Sequence, residues 1–292
     1  MEETDTAETS KAPSERLGAI VSAVPQAIGS GFSAHHFSEE MFDGRMDPLL
    51  MADDFVMTAP TFDAHLHAGM SAVTVMFEDS AGNFLNRDTL GHNVALKAGD
   101  LYWLAAASGA AHEEKPAQGA RTHALQIFVN LPSRLKKEPA RALHIRAEKV
   151  PVLLGQGHRV RVLLGRSGAA VGADGTPEEM TMLDGFLAKG GQFSHRLPEE
   201  RQAWIYVVSG RLAVRCEGAE RRLTERTATT VEAGPETDVV LQSGERSHFV
   251  VMAAKPIREP FVKRGPLVMQ TEADVQRTLA SYADGKFGSI PT

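Results

Sequence analysis

The chain has a single cysteine, Cys216, among its 292 residues. One thiol excludes an intramolecular disulfide framework and a cysteine-built zinc site, and it is compatible with a reducing, cytoplasmic setting. Long apolar runs are also missing. No stretch approaches the about 18–20 consecutive apolar residues of a membrane span. The N-terminus, Met1–Arg16, is polar and acidic without the apolar segment of a secretory signal, and it reads as a disordered tail. Positive charge is not in excess: 31 Lys and Arg against 37 Asp and Glu leave a net charge of −6. There is thus no electrostatic reason to bind nucleic acid. The chain contains no Gly-x-Ser-x-Gly elbow, and no Gly-x-Gly-x-x-Gly opens a helix after a strand, so serine-nucleophile and dinucleotide chemistry are unsupported. Aromatic residues are few, at 6%, whereas 26 glycines and 15 prolines point to many turns.

Short β-type runs separated by turn signals fill the rest. Ser71–Phe77, Leu101–Leu104 and Ala124–Asn130 are expected strands in the first half; Arg161–Gly165, Ala203–Val208, Arg211–Arg215 and Phe249–Met252 are expected in the second. Val208-Ser-Gly210 reads as a tight hairpin turn. Lys136–Pro151 reads as a connection between two β-rich halves, and Arg134, Lys136 and Lys137 as a solvated basic loop. Near the end, Thr271 precedes Asp274 in the manner of a capping box. Val275, Leu279 and Tyr282 then follow at helical spacing and Gly285 can close the helix. A short amphipathic C-terminal helix packed on a barrel is expected.

Two triplets carry the chemistry: His65-Leu66-His67 and His112-Glu113-Glu114. On a strand, residues i and i+2 share a face. His65 and His67 therefore project together, as do His112 and Glu114, while Glu113 points away. If the two strands lie on one barrel wall, three imidazoles and a carboxylate converge. That donor set suits a divalent transition metal, and four protein ligands on an octahedral ion leave two open positions.

The surrounding residues resemble the pirin family of two-domain cupins. His65-Leu-His67-Ala-Gly69-Met70 followed by Val73-Thr74 is similar to the family's His-Pro-His-x-Gly-Phe and its Val-Thr strand. Arg87-Asp88-Thr89-Leu90-Gly91-His92, Gly99-Asp100-Leu-Tyr-Trp103, Ala106-Ala107-Ser-Gly109-Ala-Ala-His112-Glu-Glu114 and Leu125-Gln126 through Val129-Asn130-Leu131-Pro132 continue the likeness in order. Glu259-Pro260, Gly265-Pro266, Val268-Met269 and Gly285-Lys286-Phe287-Gly288 extend it to the tail. The chain departs from the pattern at Ala64, Leu66 and Met70, at Ala107 where a glycine is usual, and at Asn86 where many members have histidine.

The resemblance implies an all-β fold of two tandem cupin barrels (jelly-roll, or double-stranded β-helix) with a short C-terminal helix. A metal-binding N-terminal domain would span 17–148 and a metal-free C-terminal domain 149–292. It implies His65, His67, His112 and Glu114 as ligands of one divalent metal, Fe(II), although Mn, Co, Ni, Cu or Zn would also fit such donors. It implies a quercetin 2,3-dioxygenase-like enzyme acting on a flavonol and O2, with Glu114 as both ligand and proton acceptor. Two alternatives stand beside it. One is a non-enzymatic, metal-dependent partner of a transcription factor or metabolic enzyme; the other is a cupin enzyme of another substrate class, since fold does not settle function. His92 is expected to be structural or exposed, Asp100 a turn residue, Cys216 a strand residue and His123 a possible orienter of a ligand. His158, His195 and His248 are isolated in sequence, none with a ligand-type residue at i+2.

Overall fold

The computed structural model describes residues 15–291. It contains two β-barrels of the same plan, each a seven-stranded sheet and a four-stranded sheet. In the first barrel the large sheet runs Arg141–Ile145, Leu101–Ala105, Met70–Met76, Thr122–Asn130, Leu49–Met57, Phe32–Ser38, Val24–Ile28. Its small sheet runs His65–His67, Ala110–Pro116, Phe84–Asp88, Asn93–Leu96. In the second barrel the large sheet runs Val21–Ser22, Thr227–Val231, Gln202–Ser209, Ser247–Ala254, Met180–Leu187, His158–Leu164, Val152–Gly155. Its small sheet runs Gln192–Leu197, Thr237–Gln242, Arg211–Cys216, Ala219–Thr224.

The central strands of the large sheets are apolar at nearly every position because both of their faces are covered. One face of Met70–Met76 places Val73 and Val75 in a cluster with Trp103 and Ile127 that also takes in Met182, Trp204, Tyr206 and Met252 of the second barrel. The other face places Met76 with Tyr102, Leu104 and Phe55 inside the first barrel. The two large sheets therefore pack back to back, and each small sheet closes the far side of its own barrel. Small-sheet strands such as Gln192–Leu197 alternate exposed and buried residues, as strands with one wet face do.

Several expectations change in three dimensions. Val208-Ser-Gly210 is not a hairpin: Gln202–Ser209 lies in the large sheet and Arg211–Cys216 in the small one. Gly210, with φ +80°, turns the chain across the barrel instead. The connection after Lys136 contains Arg141–Ile145, an edge strand paired with Leu101–Ala105. The division expected between 148 and 149 falls after that strand, and both chain ends cross it. Val21–Ser22 joins the second barrel, while Ala68 of the first bridges Leu267. Residues 1–14 of the expected tail lie outside the described residues. Arg16 is not tail-like: it is buried and donates to the carbonyls of Glu232 and Pro235 and to Glu217.

Lys136 is likewise not solvated. It is buried, and its Nζ donates to Gly69 O, Asn130 Oδ1 and Val268 O at 2.6–2.8 Å. The C-terminal helix spans Glu272–Ala283 with Thr271 as its cap. Only part of the expected apolar face is covered: Val275 packs with Leu66, Leu267 and Met269, whereas Leu279 and Tyr282 stay exposed. No described helix is long and apolar enough to cross a membrane.

Candidate metal centre

His65–His67 is the edge strand of the first barrel's small sheet, and antiparallel pairing sets His65 opposite His112 and His67 opposite Ala110. Ladder register thus joins the two triplets, while strand parity turns His65, His67, His112 and Glu114 into the barrel. Gly69 ends the strand with φ +72°, and a Cβ there would stand 1.8 Å from Val268 O. The turn requires glycine, and the C-terminal return seats directly against it.

Ligand atoms of His65, His67 and His112 all lie within 4.8 Å of one another. Nε2 of His67 and Nε2 of His112 are 3.0 Å apart. Two nitrogens each about 2.1 Å from one ion at a right angle would be separated by about this distance. His65 donates from Nδ1 to Asp63 O at 2.8 Å, which leaves Nε2 as its free lone pair. Burial, with the neighbouring imidazoles, holds His67 well below the usual histidine range. Burial and the nearby His65 push His112 down to about 3. Both rings are therefore neutral at pH 7, the form that ligates metal. Three imidazoles turned to one point form a donor set that a divalent cation satisfies.

Glu114 lines the same cavity but is not among the atoms of that tight cluster. Its Oε1 accepts from Thr74 Oγ1 at 2.6 Å and from Asn86 Nδ2 at 2.7 Å, which commits one oxygen and leaves the other. Burial raises its pKa, against the lowering pull of those two donors. The Gln126 side chain lies 2.9 Å from the Thr74 hydroxyl. Glu113 turns outward to Arg87 and Lys115, as parity requires.

These groups open into a cavity of about 550 Å³ walled by Phe32, Phe55, Phe62, Phe84, Phe128 and Met57. The His67 ring meets Phe128 edge to face at 5.1 Å. A mostly apolar chamber with a few convergent polar groups is the usual form of a small-molecule site.

The other histidines lie elsewhere. His123 does not orient a ligand; it bonds Asp54 and Asp79 on the other face of the sheet. His92 pairs with Asp88 at the surface, and Cys216 ends a strand as a buried free thiol. Asp100 shapes its turn and also holds His144 and the backbone N–H of Ala147. Sequence reasoning missed the carboxylate-holding roles of Thr74 and Asn86; cross-strand register brings Asn86 to Glu114, and Thr74 reaches it from the facing large sheet.

Comparison with known proteins shows the family and the fold. The family model for pirin matches residues 21–129, and that for the pirin C-terminal cupin domain matches residues 182–288. A Pseudomonas aeruginosa protein whose name assigns it provisionally to the quercetin 2,3-dioxygenases is 36% identical over 254 residues, covering 82% of this chain and 87% of the relative. Human pirin is 30% identical over 247 residues, covering 83% of each chain. The structure of a quercetin 2,3-dioxygenase from Acinetobacter baumannii superposes with a TM-score of 0.82 at 27% identity, over 94% of this chain and 99% of that one. A bacterial pirin from Escherichia coli, solved in complex with nickel(II), shares the fold with a TM-score of 0.61 at 20% identity, over 82% of this chain and 100% of that one.

Proposed function

The chain belongs to the pirin family, and from that premise we propose that it is a metal-dependent dioxygenase of flavonol-type substrates. The convergence of His65, His67 and His112 at the base of an aromatic-walled cavity carries the reading. In it, these three residues and Glu114 hold one Fe(II) in the N-terminal domain, 17–148, whose strands from Val24 onward build the first barrel. The second barrel, 149–292, is a metal-free scaffold, and the protein works in the cytoplasm.

When bound, Fe(II) supplies Lewis acidity and the capacity to react with O2. Everything else is the work of the chain. Burial keeps protons off His67 and His112, so the donors stay competent at neutral pH. Thr74 and Asn86 fix Glu114 through Oε1. Oε2 is then free to complete the ligand set and to take the proton leaving the substrate's hydroxyl. The aromatic wall holds a flat ring system and excludes water around it.

The test is metal content and O2 uptake with quercetin, on protein loaded anaerobically with Fe(II) and compared with His67→Ala. One equivalent of iron and uptake that disappears in the variant are expected. Stoichiometric metal without uptake moves the reading to another substrate or to metal-dependent capture of a protein partner. Absence of metal binding removes the ligand set itself.

A further inference from the structure

Two acids that the metal reading does not use line the cavity: Asp63, which is exposed, and Asp53, which is set among apolar side chains. Along Leu49–Met57, the side chains of Met51, Asp53, Phe55 and Met57 all line the cavity. Three of these four are apolar, so a carboxylate in the row is a costly exception unless it has partners. Asp53 Oδ1 accepts from His36 Nδ1 at 2.6 Å. Oδ2 has no hydrogen-bond partner among the described residues, while the side chain keeps only 17% of its exposure. His36 thus holds the carboxylate through one oxygen and leaves the other as a free acceptor on a side chain that lines the chamber.

Register locates this acceptor. Asp53 stands opposite Gln126, and Gln126 opposite Thr74, whose hydroxyl holds Glu114. Two strand spacings, about 10 Å, separate Asp53 from Thr74, the residue that holds Glu114. We propose that Asp53 reads the far end of the ligand. It accepts a hydrogen bond from a hydroxyl remote from the oxygen seated among the imidazoles. The cavity therefore selects elongated, flat aromatic molecules that carry hydroxyls at both ends. This selection rests on the flavonol reading given above and names the part of the substrate that the chain recognises.

The experiment measures binding without turnover, on protein loaded with redox-inert Zn(II). The probes are quercetin and 3-hydroxyflavone, which keeps the metal-end oxygens but lacks every other hydroxyl. Wild type is expected to bind quercetin about ten- to a hundredfold more tightly, the range of a hydrogen bond to a charged group. Asp53→Leu, with its zinc content intact, is expected to bring the two affinities within about twofold, chiefly by weakening quercetin. Should Asp53→Leu not retain zinc, Asp53→Asn serves instead and is expected to cut the preference at least about threefold. Equal binding of both probes by wild type, or a preference that survives either variant, overturns the role of Asp53 while leaving the flavonol site standing. Failure of wild type to bind either probe overturns the flavonol reading and this selection with it.

Discussion

The two barrels repeat one strand order and differ in what their small sheets point inward. In the first, His65–His67 and its partner strand turn His65, His67, His112 and Glu114 into a cavity of about 550 Å³. In the second, the matching pair is Gln192–Leu197 with Thr237–Gln242, and it turns in Phe193, His195, Leu197, Val239 and Leu241. Those residues join Ile205, Val207, Leu212 and Phe249 in a packed apolar core. The one inward imidazole, His195, meets Ser167 Oγ at 3.0 Å and finds no second ring. The barrel supplies the same walls twice; on the proposed reading, two i,i+2 pairs of ligand type at paired strands set apart the one that holds a metal.

The largest expected effect breaks that contrast at its centre. His67→Ala should lose its metal on dialysis, an affinity drop of more than about a hundredfold, since changes merely behind a ligand already cost 10–100-fold. His195→Leu should keep a full equivalent. Metal analysis of the two variants side by side checks this, and metal loss from His195→Leu would show that the second barrel takes part.

A second effect belongs to the second barrel alone. Burial pushes His195 down to about 4 from 6.5. A histidine whose folded pKa is lowered resists the proton that the unfolded chain accepts, so its contribution is lost as pH falls from about 6.5 to about 4. The loss approaches about 3 kcal/mol at the acid end. His195→Leu should flatten that part of the acid limb, measured by urea unfolding of the two proteins between pH 7 and pH 4. An unchanged slope would place the acid sensitivity elsewhere.

The chain ends blur the division between barrels, and Lys136 is where the blur can be sharpened. Its ammonium ties Gly69, just after the ligand strand, to Val268 of the C-terminal return. Lys136→Met leaves two carbonyls and Asn130 short of a donor, partly offset by relief of a buried charge, for a net loss of about 2 kcal/mol at pH 7. Burial lowers the lysine to about 8 from 10.5. The folded state therefore gains stability as pH rises through that window, where the unfolded chain still binds the proton. The gap between wild type and Lys136→Met should widen from pH 8 to pH 10.5 in chemical denaturation. A gap that narrows would mean the ammonium is well compensated by its three acceptors.

What could be read beforehand follows from how local each signal is. Doubly buried strands such as Ala124–Asn130 announce themselves by apolar content, and His-x-His parity is a property of three residues. Gly210 looked like a hairpin because a tight turn does not say which sheet receives the next strand. Lys136 looked solvated because the segment that buries it, Leu267–Met269, lies more than a hundred residues away. Asn86 and Asp53 gain meaning only through register between strands, and Thr74 only through the facing of the two sheets. Leu279 and Tyr282 follow helical spacing, yet only Val275 of that face packs with Leu66, Leu267 and Met269.

The smallest effect returns to the first barrel's ligand wall. Ala107, where the family pattern has glycine, sits at φ +43° and accepts from the backbone N–H of Gly69 at 2.7 Å. An L-residue in the left-handed region carries about 1–2 kcal/mol of steric cost that glycine avoids. Glycine returns part of that gain through its greater freedom when unfolded. Ala107→Gly should therefore stabilise by about 1 kcal/mol at most, a rise in Tm of about 2–4 °C for a chain of this size. Because the Gly69 contact uses only the Ala107 carbonyl, metal content should not change. A fall in Tm would mean that the Ala107 methyl, buried in its pocket, contributes more by packing than its backbone conformation costs.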